Sequence, residues 1–583
     1  MPRFGDFDTN FGPAGSNGLV ITDFGRHDIA RSVAINQTTG NIIVSGYTNL
    51  NNLNDFALAG YLSNGSLDAS FGLNGKVITT LGGADVARSV AIDPSNGKII
   101  VAGYTNSPPD FALVRYLSNG SLDASFGLNG KVITNFGAND AAYSVAINKN
   151  TGKIIASGFT DASGSVNFAL AGYLSNGSLD ASFGLNGKVI TDFGRNVNDE
   201  VNSVAIDPSN GKIIVAGYTI VNGSLDFALA CYTPEGILDA SFGSLGNGLV
   251  ITDFGGNSLD VARSVAINPN GKIIVAGYTS SSSNDFALAC YTSGGILDAS
   301  FGSLGNGKVI TNFGATDEGN SVAINPYGKI IVAGYTNVNS TRDFALACYT
   351  PEGILDTSFG PLDSNGLVIT NFGGSDIASS LAINQTNGKI IVAGSTGVTG
   401  SNNFALASYF GETKELPISN VCFPANTLIS TNQGNIAIQD LDPKIHTIRN
   451  KKIELITKTV TQDKYLVCFE KDSLGINLPS EKIIITKNHG IFYKGKMMQS
   501  KEFIGKFENV KKIKYTGEIL YNVLMEDHYK MMVNNLICET LHPKNGIAKL
   551  YKILQNANPK EQQDLIEKCN EYAIKNKVFS SKR

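Results

Sequence analysis

Through its first four hundred residues the chain alternates short apolar runs with polar turns, and the same four runs keep returning. One unit shows them: Ser-Val-Ala-Ile at 89–92, Lys-Ile-Ile-Val-Ala-Gly at 98–103, Phe-Ala-Leu at 111–113 and Val-Ile-Thr at 132–134. Short runs rich in β-branched residues, bounded by turn residues, predict strands rather than helices. Asn96-Gly97 and Asn119-Gly120 supply the positive backbone angles of tight hairpins, so the strands are antiparallel. The unit's phenylalanine recurs at Phe56, Phe111, Phe168, Phe227, Phe286, Phe344 and Phe404, 55 to 60 residues apart. Four antiparallel strands repeated seven times predict an all-β fold whose first part is a seven-bladed β-propeller. The chain opens with an unpartnered Val-Ile-Thr at 20–22, and the last copy, 380–409, lacks that strand. Together they complete one blade and leave no open sheet edge. An open solenoid of the same units would leave both ends unpaired.

Beyond residue 411 the repetition stops. β-rich segments of irregular spacing follow, with Asn534-Asn535 as a further hairpin turn, and then two helical stretches. Ile547, Leu550, Tyr551 and Leu554 fall on one helical face, and Leu565, Ile566, Cys569 and Tyr572 on another, with Pro559 near the start of the second helix. The expected organisation is a propeller at 1–411, a linker at 412–421, a second β-fold at 422–541 and a short helical tail at 542–583.

Charge divides at the same place. Residues 422–583 carry 26 Lys+Arg against 17 Asp+Glu, whereas residues 1–421 carry 20 against 33. Parts of opposite sign point to two separate origins and to mutual attraction within the chain. Neither part shows basic clusters interleaved with aromatics, which argues against nucleic acid as a partner. No apolar run approaches the ~18 residues of a membrane span, and Met1-Pro2-Arg3-Phe4 has no apolar signal core. No signal peptide or transmembrane segment is visible, and localisation stays open. Cys231, Cys290 and Cys348 occupy one slot of successive repeats, spread round the ring rather than paired, so a disulfide framework is not expected. His27 is the one histidine of the repeat region, and without a Cys/His cluster no metal or cofactor is expected there. One acid precedes the first strand of each repeat: Asp28, Asp85, Asp140, Asp199, Asp260, Asp317 and Asp376. A ring of acids could meet a cation or a basic partner, but the commoner role is a turn anchor that accepts backbone amides. The loops at 48–54, 106–109 and 221–225 vary in length, which suits recognition of a protein or glycan ligand.

Two resemblances follow from motifs. Leu-Asp-x-Ser-Phe-Gly at 67–72, 122–127, 179–184, 238–243, 297–302 and 355–360 resembles the bacterial delta-sixty repeat, with Thr357 at the variable position of the last copy. That resemblance implies the propeller fold and no reaction. At the junction, Val421-Cys422-Phe423-Pro424-Ala425-Asn426 places a thiol before a turn, where it can bend back onto the carbonyl of Val421 and form a thioester. Together with Thr486-x-x-His489 and the hairpin segment at 521–540, this stretch resembles the Hedgehog/intein self-processing module, the Hint domain.

The resemblance implies an attack of Cys422 on Val421, with Thr486 holding the scissile peptide and His489 delivering the proton that the departing amine requires. Asp463 lies at about the spacing of the Hedgehog aspartate that activates the acceptor; a solvated turn acid is the alternative. His528 is a second candidate for proton transfer, with a surface hairpin histidine as its alternative. Inteins close this hairpin with His-Asn before Cys, Ser or Thr. Glu539 and Thr540 stand there instead, so splicing is not expected, and the acyl acceptor must be an external nucleophile: water, a thiol, an amine or a sterol. The modest apolar width of the tail favours hydrolysis or a small nucleophile over a sterol. The leading expectation is a precursor that releases or transfers its propeller by single-turnover cysteine chemistry. The alternatives are a binding or structural propeller protein with an inactive Hint fold, and a turnover hydrolase, for which no motif indicates a cleft.

Overall fold

Each repeat becomes one sheet. The computed structural model describes residues 3–570 apart from 51, 107, 195–196, 257, 281–282, 413–421, 462, 527–529, 542–545, 556, 559–560, 564 and 567–569. The chain divides into two units, 1–413 and 414–583. The first contains seven four-stranded antiparallel sheets in which sequence neighbours are spatial neighbours, as Asp28–Ile35, Ile42–Thr48, Asp55–Tyr61 and Lys76–Thr79 show. The first strands of adjacent sheets pack on one another all the way round, including Asp28–Ile35 against Asp376–Ile383. They therefore form the inner wall of a closed seven-bladed propeller.

Closure is made by the opening strand. Leu19–Thr22 becomes the fourth strand of the last blade, with Leu19 opposite Ala407 and Thr22 opposite Phe404. Residues 7–12 extend the closure beyond what the sequence predicts. Phe7 bridges Tyr409 as Leu67 bridges Tyr61, and Asp8 pairs with Lys389 at 2.8 Å as Asp123 pairs with Lys98. Phe11 is buried between the last and first blades. Phe7-Asp8-Thr9-Asn10-Phe11-Gly12 is thus a degenerate seventh copy of Leu-Asp-x-Ser-Phe-Gly, unrecognised because two of its positions differ.

Two rings of side-chain bonds join the blades. Tyr61, Tyr116, Tyr173, Tyr232, Tyr291, Tyr349 and Tyr409 each meet a threonine of the preceding blade's outer strand at 2.7–2.9 Å. All seven tyrosines are buried. A buried phenol needs such a partner, and burial pushes these hydroxyls up from their usual pKa. Nearer the axis, the serine of each inner strand accepts the N–H of a residue in the next blade at 3.1–3.2 Å, with Ser380 on Val33 closing the circle. Between blades the apolar side chains pool, as in the cluster joining Phe56, Leu58 and Phe71 to Val90, Val101 and Tyr116.

The acid ahead of each inner strand is buried, and it accepts the N–H of a phenylalanine or leucine four to six residues earlier at 2.5–3.0 Å. It is the turn anchor. Cys231, Cys290 and Cys348 are unpaired and buried, and burial pushes Cys231 and Cys290 up to about 12.

Among its described residues the second unit carries three sheets. In one, Leu520–Met525 lies between Phe423–Pro424 and Lys451–Thr459. The second holds the hairpin Lys530–Val533/Leu536–Glu539, whose turn residues Asn534 and Asn535 have φ of 45° and 65°. The third places Ile483–Thr486 beside Tyr465–Phe469. Phe423, Ile429, Val467, Ile485, Phe503 and Val533 meet in one core. The helix Gly546–Leu554 follows; its Ala548 packs on Leu524, and Tyr551 donates to the carbonyl of Lys458. Leu550 and Leu554 meet Ile566 of the second helical stretch, whereas Pro559, Cys569 and Tyr572 lie outside the described residues.

Thr134→Val keeps the shape of its side chain but strips the buried Tyr173 hydroxyl of its partner. Thermal unfolding is expected to show a loss of about 1–3 kcal/mol, with circular dichroism unchanged at low temperature.

Candidate functional site

Three strands converge on Cys422. Phe423 and Pro424 pair with Tyr521 and Leu520, and Thr459 sits opposite Leu520 on that strand's other side. Asn426 turns the chain at φ 64° and so allows residue 422 to lie inward. Cys422 is fully buried against Leu466 and Leu520. The residue is gripped at both of its main-chain polar atoms, which belong to the peptide groups on either side of it. The Cys422 N–H, which belongs to the Val421–Cys422 bond, donates to Thr486 Oγ1 at 2.8 Å. The Cys422 carbonyl accepts the Thr486 N–H at 3.1 Å and its hydroxyl at 3.3 Å. The sulfur lies 2.9 Å from Thr459 Oγ1.

His489 enters on the turn after Thr486, where its N–H donates to the Thr486 carbonyl at 3.1 Å. The imidazole is buried, lies 4.2 Å from the Phe423 ring between centroids, and puts Nε2 3.1 Å from the carbonyl of Glu539. A carbonyl can only accept, so this contact requires the hydrogen on Nε2. Nδ1 is then the ring nitrogen whose lone pair is left to accept. The Glu539 carboxylate accepts the Gly490 N–H at 2.8 Å, so one residue fixes both the histidine and the strand that follows it. Ser500 secures the turn from the other side: its hydroxyl donates to the Thr486 carbonyl at 2.7 Å and its N–H to the His489 carbonyl at 2.9 Å.

The residues singled out by sequence divide clearly. Cys422 and Thr486 touch, and His489 joins them through Phe423 and the Thr486 turn. Asp463 is only 9 % exposed and pairs with Lys487 at 2.7 Å, so it is not a solvated turn acid. Its described contacts are with Lys487 and Thr461 rather than Cys422. Val421 and His528 lie outside the described residues. Thr459 and Ser500 were not foreseen, because a threonine in a strand and a serine beyond one carry no signal of their own. As for metals, among the described residues Asp226, Asp253 and Asp260 bring carboxylate oxygens within 4.8 Å of one another. Asp260 is already committed to the Phe254 N–H and the Thr279 hydroxyl.

Ser500→Ala leaves the Thr486 carbonyl without the hydroxyl that caps it. Because the His489 N–H still meets that carbonyl, a loss of about 0.5–1.5 kcal/mol is expected in the unfolding of the second unit, with the propeller's own transition unmoved.

Residues 37–71, 95–126, 149–183, 209–242, 268–301, 328–359 and 385–407 match the family model described as a domain of unknown function (DUF5122) beta-propeller. Residues 421–545 match the Hint domain model. Among solved structures, Sqt1 from Chaetomium thermophilum is 11% identical at a TM-score of 0.36, over 64% of this chain and 82% of that one. Drosophila Semaphorin 1b, extracellular domains 1–2, is 9% identical at 0.35, over 75% and 95%. Scores this low add nothing to the sheet order described above. No curated protein matches the chain.

Proposed function

We propose that this chain, a run of DUF5122 β-propeller repeats followed by a Hint domain, is a precursor that breaks its own Val421–Cys422 bond and so releases or transfers its propeller. The observation that carries the reading is the grip of Thr486 on the Cys422 peptide, with its hydroxyl 2.8 Å from the nitrogen of the bond to be broken. The Cys422 sulfur attacks the Val421 carbonyl carbon, a C–S bond forms, and the C–N bond breaks. The thiol gives up one proton, His489 Nδ1 takes one up and the departing nitrogen receives it, so the exchange balances as an amide becomes a thioester and an amine. His489 supplies the amine's proton through Nδ1. Thr459, 2.9 Å from the sulfur, holds the thiol in place.

The thioester then passes its acyl group to an outside nucleophile, whose proton goes to the Cys422 sulfur. Water or a small thiol or amine is the expected acceptor. The residues at the intein closing position, Glu539 and Thr540, offer no asparagine to cyclise, and Glu539 is engaged with Gly490 and His489. The ligand of the freed propeller, a protein or glycan, would meet the loops that vary from blade to blade.

Cys422→Ala is expected to abolish fragmentation with the propeller still folded. His489→Ala is expected to slow it by ~10² to 10⁴. Intact mass of the released fragment reads the acceptor: a free carboxylate on Val421 means hydrolysis, and an added mass identifies the nucleophile. Fragmentation that persists in Cys422→Ala would assign the cut to another protease and overturn the proposal.

A further inference from the structure

The inner strand of every blade bulges one residue before its serine, and the extra residue changes from repeat to repeat. Round the ring it is Arg31, Arg88, Tyr143, Asn202, Arg263, Asn320 and Ser379. A bulge re-aims a side chain out of the ladder. Here the bulged residues reach the neighbouring inner strand: Asn202 Nδ2 donates to the Ala262 carbonyl at 2.8 Å, Asn320 Nδ2 to that of Ala378 at 2.9 Å, and Arg88 lies 4.8 Å from the Tyr143 ring. They therefore line the axial wall of the propeller.

Charge is uneven along that wall. Arg263, in the fifth blade, stands between the blades that carry Glu200 and Glu318. The positions equivalent to those glutamates in the seventh, first, second and third blades are Ile377, Ile29, Val86 and Ala141, none of which can ionise. Arg31 and Arg88 are thus neighbours in adjacent blades where the glutamate position holds no carboxylate, and among the described residues neither forms an ion pair. Their Nε atoms, like that of Arg263, are buried without a hydrogen-bond partner, so the difference between the sites lies in the neighbouring glutamates. Tyr47 lies 5.8 Å from the Arg31 guanidinium, and Tyr104 lies 5.7 Å from that of Arg88. Burial and the nearby Arg88 charge both lower the pKa of Arg31. Two like charges held together in a partly dry wall cost stability unless an anion joins them.

We propose that the axial wall of the first three blades is a binding site for the oxyanion group, phosphate or carboxylate, of a small ligand, gripped by Arg31 and Arg88. Guanidinium forks match such groups in two-point contacts, and Tyr47, Tyr104 and Tyr143 offer ring faces to the rest of the ligand. The site is independent of the processing chemistry.

The test uses the full chain with inorganic phosphate and, separately, citrate as probes, followed by titration calorimetry at low ionic strength and by melting temperature. Wild type is expected to bind at least one probe at a single site and to melt higher in its presence; which probe wins separates a phosphate from a carboxylate ligand. Arg31→Met/Arg88→Met is expected to weaken binding more than tenfold and to lose the anion-dependent rise. Arg263→Met is expected to keep both. Should the double variant fail to fold, Arg31→Lys alone, which keeps the charge but loses the fork, is expected to weaken binding several-fold. Absence of binding by either probe overturns the proposal, as does binding that survives the double variant or depends equally on Arg263.

Discussion

A ring of sheets has no free edge only if its first and last strands meet, and in this chain that meeting is Leu19–Thr22 on Asn403–Tyr409. Much else rests on it. The same strand carries Thr22, the partner of the buried Tyr61, so one short segment completes the seventh blade and supplies the bond that ties it to the first. Asp8 and Phe11, just before it, finish the apolar contact of the repeat and the ion pair that the second to sixth repeats make within their own sequences, the first having Asn41 on Asp68 instead. Closure is complete by Tyr409 and Phe410, ahead of Cys422 in the chain. A cut at Val421–Cys422 would therefore free a whole propeller, with no strand left behind.

The second unit follows the same logic on a smaller scale. Buried polar atoms need partners, and Thr486 supplies them to both main-chain polar atoms of Cys422. Glu539 and Ser500 do the same for the histidine turn. A site built from such obligatory bonds is held in one arrangement before any reaction starts, as the proposed attack by the thiol would require.

Most of the fold was legible because it is periodic. Four strand patterns at a near-constant spacing leave few architectures, and the unmatched Val-Ile-Thr at 20–22 showed how the ring closes. Cys422, Thr486 and His489 stood out as candidates because their residue types recur in that order in the module they resemble, and the structure places Thr486 on Cys422. What escaped is long-range or degenerate. Phe7 to Gly12 differ from the repeat signature at two positions, so only their contacts with Tyr409 and Lys389 reveal them. The Tyr–Thr bonds join residues visible in each repeat, but they connect different blades, and no single repeat shows the pairing. Thr459 reads as an ordinary strand residue until Cys422 is seen beside it. Asp463 reads as a surface acid until Lys487 is placed against it. The bulged arginines sit where the repeats disagree, the positions that a search for periodicity discards.

The chain contains two Val–Cys peptide bonds, 421–422 and 467–468, and this permits a direct measurement. Labelling valine carbonyls with carbon-13 and cysteine nitrogens with nitrogen-15 makes each bond visible in nuclear magnetic resonance as a coupled pair, with the buried 467–468 bond as internal reference. Self-processing is expected to remove the 421–422 coupling from the wild-type chain and leave that of 467–468, while Cys422→Ala, made with the nitrogen label on residue 422 as alanine, keeps both. Two intact couplings in a wild-type chain that has nonetheless fragmented would place the break elsewhere and contradict the proposed chemistry.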